Sequence, residues 1–186
     1  MSTVELDGFS GNITITATPA ATSIDTGLPG NTHYVMDAFD AATHTLRLFC
    51  ANNATCPATT YTVTIPAHVG LILHQVSGQA RLADLSGPVS ITATSADTTA
   101  TGLAAASFSA VITSGRLDAA FADPPGRVSV SVVSAEATVH LPGSAQYAVA
   151  QQVQSGNVQV QVPQDPNSPD TVDATVTSGQ INLVTS

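Results

Sequence analysis

The chain has 186 residues with Lys+Arg 4 against Asp+Glu 13, a formal net charge of -9, 43% apolar and only 9% charged residues. So apolar a composition excludes a disordered chain, and the length suits one domain or two small ones. There is no Lys at all, which removes a Walker lysine, a Schiff-base enzyme and a Lys–Asn isopeptide crosslink, and four scattered Arg cannot neutralise a nucleic-acid backbone.

Met1 to Gly11 is polar, with no basic segment leading into an apolar run, and no stretch approaches 18 consecutive apolar residues. Neither a signal peptide nor a membrane span is expected in this sequence. Val4–Leu6, Gly11–Ile15, Thr32–Met36, Thr45–Phe49 and Tyr61–Ile65 read as strands separated by polar or Pro/Gly turns. Ala17–Asn31 reads as a long loop, and Met36–Thr45 as strand or turn. Residues 1–65 are expected to form irregular opening turns or a cap, because the end turns of a stacked β structure otherwise expose unpaired edges. Cys50 and Cys56 bracket five residues rich in Asn, Ala and Thr, a turn whose ends can meet. A Cys50–Cys56 disulfide is predicted, which points outside the cytosol. Free thiols in a cytoplasmic chain are the alternative; half a zinc site would need two further ligands, and no second Cys pair exists.

From residue 66 on, a Ser-Gly or Ser-Ala step recurs at Ser77, Ser95, Ser114, Ser134, Ser155 and Ser178. Subtracting successive positions gives 18, 19, 20, 21 and 23, the mark of a solenoid with one turn per repeat. Three and five residues past each Ser the chain is mostly apolar, as at Leu117, Val139, Val158, Val160, Ile181 and Leu183. Two past it lie Gln79, Asp97, Arg116, Glu136, Asn157 and Gln180. Period-two alternation predicts strands with one buried face. Thr98 and Ala100 fill the inward positions weakly, so the Ser95 repeat is the least regular. A second corner, rich in Gly and Pro, falls midway through each repeat, at Ser86–Gly87, Gly102, Pro124–Gly126, Pro142–Gly143 and Pro163. A single all-β domain, 1–186, is expected: a parallel β-solenoid (single-stranded β-helix) of roughly 20-residue turns, with 66–186 regular.

Tyr61–Pro66, Val76–Gly78, Leu85–Val89, Thr113–Gly115, Gln154–Pro163 and Thr177–Ile181 together resemble a bacterial family of β-strand repeats that carries the name "putative adhesin". Leu46–Cys56 is similar to the corresponding region of actinobacterial members. Ala96 and Ala135 depart from that pattern by replacing Gly. The resemblance implies a cell-envelope or secreted β-solenoid; the repeat, the low charge and the absence of a catalytic constellation lead to the expectation of a non-catalytic adhesin-like structural or binding module. The resemblance carries over no catalytic residue.

Carboxylate chemistry on a β-helix needs acids in one register on neighbouring turns. Only Asp97 and Glu136 share a register, two turns and roughly 10 Å apart, and no charged side chain is expected between them. His33, Asp37, Asp40 and His44 are the one His/carboxylate mixture, at spacings that match no compact metal motif. His68 and His74 flank a strand expected at an edge, with no acid nearby. No Gly-x-Ser-x-Gly is present. Asn12–Thr14 and Asn53–Thr55 match glycosylation sequons. Trp is absent, which removes the commonest sugar-stacking surface. No catalytic residue, metal or cofactor is therefore assigned, and glycan or envelope protein is the expected partner. A carbohydrate-active β-helix enzyme is the alternative. An ice- or surface-binding protein is a weaker one, because the Thr pairs 14/16, 62/64 and 92/94 are not expected to align.

Overall fold

The fold is given by a computed structural model, which describes residues 2–18, 25–26, 35–50 and 59–186. Eleven strands make one sheet: β1 (Thr3–Thr18), β2 (Asp25–Thr26), β3 (Val35–Asp40), β4 (Thr45–Cys50), β5 (Thr59–Pro66), β6 (Gly70–Ala83), β7 (Val89–Leu103), β8 (Ser107–Phe121), β9 (Arg127–Leu141), β10 (Ala148–Gln161) and β11 (Thr171–Thr185). No helix occurs among the described residues. The long strands pair in parallel, and only the short β2 and β3 run antiparallel to their neighbours.

Each Ser-Gly step lies inside a strand rather than between two. In β8 the buried residues are Phe108, Ala110 and Ile112, then Leu117, Ala119 and Phe121. Within each half the spacing is two, but Ile112 to Leu117 is an odd step. An odd step would move the apolar set to the other face of a straight strand. The strand therefore bends at Ser114–Gly115, which returns both arms to one core. The ring of Phe108, at one end of β8, meets that of Phe121 at the other edge-on at 5.5 Å. The backbone of Gly115 bends with φ 110, a conformation that costs glycine little. Ala96 and Ala135 take no positive φ; they turn their methyls inward and are buried, which explains how Ala replaces Gly there. The connections between rungs fall at the expected Gly/Pro corners except between β7 and β8, where Gly102 lies within β7 and Ala104–Ala106 make the connection.

The stack follows chain order from β6 to β9 and departs from it at both ends. The axial order is β10, β11, β9, β8, β7, β6, β1, then β4. β11 is inserted between β9 and β10, so the last two repeats are exchanged relative to a solenoid stacked in sequence. At the other end β1 pairs with β6 on one side. On its other side it pairs with β4 through residues 3–7 and with β5 through residues 11–18. Thus Val4–Leu6 and Gly11–Ile15 are arms of one strand, bent near Gly8 and Ser10–Gly11. Ser10 and Gly11 pair with Ser77 and Gly78, a seventh copy of the step in the irregular region.

One contiguous apolar core fills the space between the arms, from Val4 and Ile65 to Ile181 and Leu183. Leu117, Val139, Ile181 and Leu183 are fully buried as expected, and so are the weak positions Thr98 and Ala100. Val158 and Val160 are only half-buried, because their rung is the outermost. Cys50 closes the backbone of β4, but the predicted Cys50–Cys56 disulfide lies outside the described residues.

Candidate functional site

In-register stacking turns each outward position into a column that runs along the axis. Two residues past the step the column reads Asn12, Gln79, Asp97, Arg116, Glu136, Gln180, Asn157. Two residues further it reads Thr14, Arg81, Thr99, Asp118, Thr138, Asn182, Gln159. The Arg116 guanidinium lies 3.3 Å from Glu136 Oε2. The expected gap between Asp97 and Glu136 is therefore filled by a cation; Arg116 shares their register and stands on the rung between them. His140 Nε2 lies 3.5 Å from Asp118 Oδ1, adding a diagonal contact. A shallow depression of about 500 Å³ runs over the bends, lined by Asp97, Arg116, Ser134, Glu136 and Ser178. A smaller one of about 190 Å³, lined by Gln79, Arg81, Thr99 and Asp118, shares Asp97 and Arg116 with it.

The first arms carry a second polar surface. Arg47 lies 3.3 Å from Glu5 and also bonds Asp7, while Arg127 reaches Asp173 at 3.2 Å. His74 stands on an inner strand, flanked by β1 and β7, with Asp7 directly opposite; the expected edge position without an acid is corrected. Glu5, Asp7, Arg47, His74 and Thr92 line a depression of about 360 Å³. His68 is exposed in the turn before β6.

The His33–His44 segment forms no cluster among the described residues, and His33 lies outside them. Asp40 serves the β3–β4 turn instead. Its carboxylate accepts from the Ala42 N–H at 2.8 Å and the Thr43 hydroxyl at 2.9 Å, while His44 takes φ 53. The Ala42 amide first, then the Thr43 hydroxyl, hold the carboxyl below the usual range. The Thr pairs are better aligned than expected: Thr14 pairs with Thr62 and Thr16 with Thr64, whereas Thr92 lies on the other arm. The array is brief, since Arg81 and Ala83 follow on the next rung.

Chemically these faces are grids of hydroxyls, amides and pre-paired charges. Neighbouring rungs set rows about 4.8 Å apart, and alternate residues along a strand add a second spacing of about 6.6 Å. Arg116 offsets one of the two carboxylates in its column, and the remaining positions are uncharged amides, so a ligand is met mainly by hydrogen-bonding groups. The column was written in the sequence, with Arg116 among the residues two past the step; what sequence alone did not show is that Arg116 bridges toward Glu136.

The family model Toastrack DUF4097 matches residues 1–184, so the chain belongs to that family. Two solved structures share the fold. A protein from Clostridium sporogenes described as a "putative cell adhesion protein" aligns with TM-score 0.58 and 12% identity, over 99% of this chain and 92% of that one. A "putative adhesin" from Bacteroides fragilis aligns with TM-score 0.60 and 12% identity, over 98% of this chain and 92% of that one. No curated protein matches the chain.

Proposed function

We propose that this toastrack domain is a non-catalytic, adhesin-like binding module of the cell envelope or of a secreted protein. In this reading residues 1–186 form one solenoid-like body of roughly 20-residue coils, whose polar faces contact a hydroxyl-rich glycan or an envelope protein. One observation carries the reading: Thr, Ser, Asn and Gln columns are held in register on one sheet, with Arg116 paired to Glu136 and standing beside Asp97 in the column. Such a grid offers many weak, equally spaced hydrogen bonds, which suits polyvalent attachment. The names carried by the two similar folds point the same way. Arg116 between Asp97 and Glu136 occupies the space an inverting glycosidase leaves for water, which weighs against the enzyme reading.

A glycan array and a pull-down from envelope extracts test this. Saturable binding that falls at least about tenfold in Thr99→Lys is expected, since the substitution puts a bulky cation on the grid. Turnover of a polysaccharide, lost in Asp97→Asn or Glu136→Gln, would overturn it.

A further inference from the structure

We propose that the free edge of β10 is the interface of a two-fold homodimer, in which two copies pair β10 antiparallel and join their sheets. The two ends of the stack are unlike. At one, the antiparallel β3 covers β4 and β2 covers part of β5. At the other, β10 pairs only with β11 among the described residues, leaving one side of a 14-residue strand without a backbone partner. Unprotected edges of this length carry charges, prolines or covers in proteins that stay monomeric. The strand AVAQQVQSGNVQVQ has no charge and no proline, so the net charge of -9 is carried elsewhere and this rung does not repel its own copy.

The rung is also self-complementary. The bend at Ser155–Gly156 divides it into two nearly equal arms. A two-fold axis through the bend exchanges the arms, reverses strand direction and keeps the core side on the core side. In that register Ser155 faces Gly156 of the second copy. Val153 faces Val158 and Gln151 faces Val160. These residues lie on the inward side, because their neighbours on β11, Ala174, Val176, Ile181 and Leu183, are buried. The pairing stops at the start of β10, where Gln164 bridges Tyr147. Val153 is 46% exposed where Val176 beneath it is 0% exposed; a further rung is what Val153 lacks. Head-to-tail growth finds no matching strand, since among the described residues the opposite edge offers the six-residue β3 and the two-residue β2 against a 14-residue β10, so association is expected to close at two copies. Fourteen residues from each copy is below the roughly 20–30 a side of a standard interface, so a reversible dimer of about micromolar strength is expected.

Sedimentation of the full chain under reductant, across about 1–500 μM, tests this, with hydrogen exchange read at both ends of the range. The expected result is a concentration-dependent dimer, added amide protection confined to residues 148–161, and at least about tenfold weaker association in Val153→Lys. Circular dichroism of that variant checks that the fold is kept; Gln152→Lys, on the outward side, is the control and should dimerise as the native chain does. A monomer throughout the range overturns the proposal. So does a dimer that Val153→Lys leaves intact, or one whose protected amides lie outside β10.

Discussion

Gly179 stands directly over Ala135: a β-carbon added at Gly179 would overlap the Ala135 carbonyl oxygen. Gly179 lies on β11, the rung inserted against β9, and its absence of side chain lets the two bends nest. Gly179→Ala must push backbone away from backbone, and a loss of about 2–4 kcal/mol is expected. Gly8→Ala provides the contrast, because nothing lies within 4 Å there and only the positive φ is penalised; about 1 kcal/mol is expected. Chemical denaturation of both variants measures the difference.

Depth in the stack, more than residue type, sets what an apolar truncation costs. Leu183 and Val160 are register partners, yet Leu183 is fully buried between two rungs and Val160 is half-buried on the last one. Leu183→Ala should cost about 2–5 kcal/mol and Val160→Ala about 1 kcal/mol. Equal losses in urea titrations would contradict the exchanged order of β10 and β11.

Thr98 is 2% exposed, and its hydroxyl has no hydrogen-bond partner among the described residues. It sits between Ala80 and Leu117 in an otherwise apolar column. Thr98→Val removes the unpaired hydroxyl while keeping the shape, and should stabilise by about 1 kcal/mol, visible as a raised Tm.

The β3–β4 turn should respond to acid through Asp40. Hydrogen bonds from the Ala42 amide and the Thr43 hydroxyl favour the ionised carboxylate, so its folded value is depressed. The stabilisation is complete above the unfolded value of about 3.9 and is lost as pH falls through the lower folded value. NMR titration should show the Ala42 amide moving with the Asp40 carboxyl below pH about 4, and Asp40→Asn should abolish that movement.

How much of this was legible in the sequence differs between face and order. The inward register from Leu117 to Leu183 and the column from Gln79 to Gln180 follow from alternation, because burial imposes a period of two on every rung. The exchange of β10 and β11 does not follow, since both offer a Ser-Gly bend and apolar inward residues to a neighbour. Gln151, an inward-side polar residue, is a weak hint, because Gln75 and Thr98 are inward and polar on covered rungs as well. Ser10–Gly11 carried the signature too, but fifty-odd residues separate it from the regular repeats, and its neighbours β4 and β5 supply one rung in two pieces. Among the site residues, Arg116 beside Glu136 was implicit in the column, whereas Asp7 opposite His74 depends on the non-sequential pairing of β1 with β6.

Placing the first and last long strands inside the stack also decides how the domain bears load and when it is finished. A pull applied through β11 meets two ladders at once, to β9 and to β10, and β1 is clamped in the same way between β6 and the β4/β5 rung. Neither can be peeled off one hydrogen bond at a time from a free side. Assembly has the matching constraint: β10 is synthesised before the strand it rests on, so its native ladder cannot form until β11 is in place. Rung-by-rung growth from β6 to β9 needs no later strand, whereas the last two rungs are expected to close together.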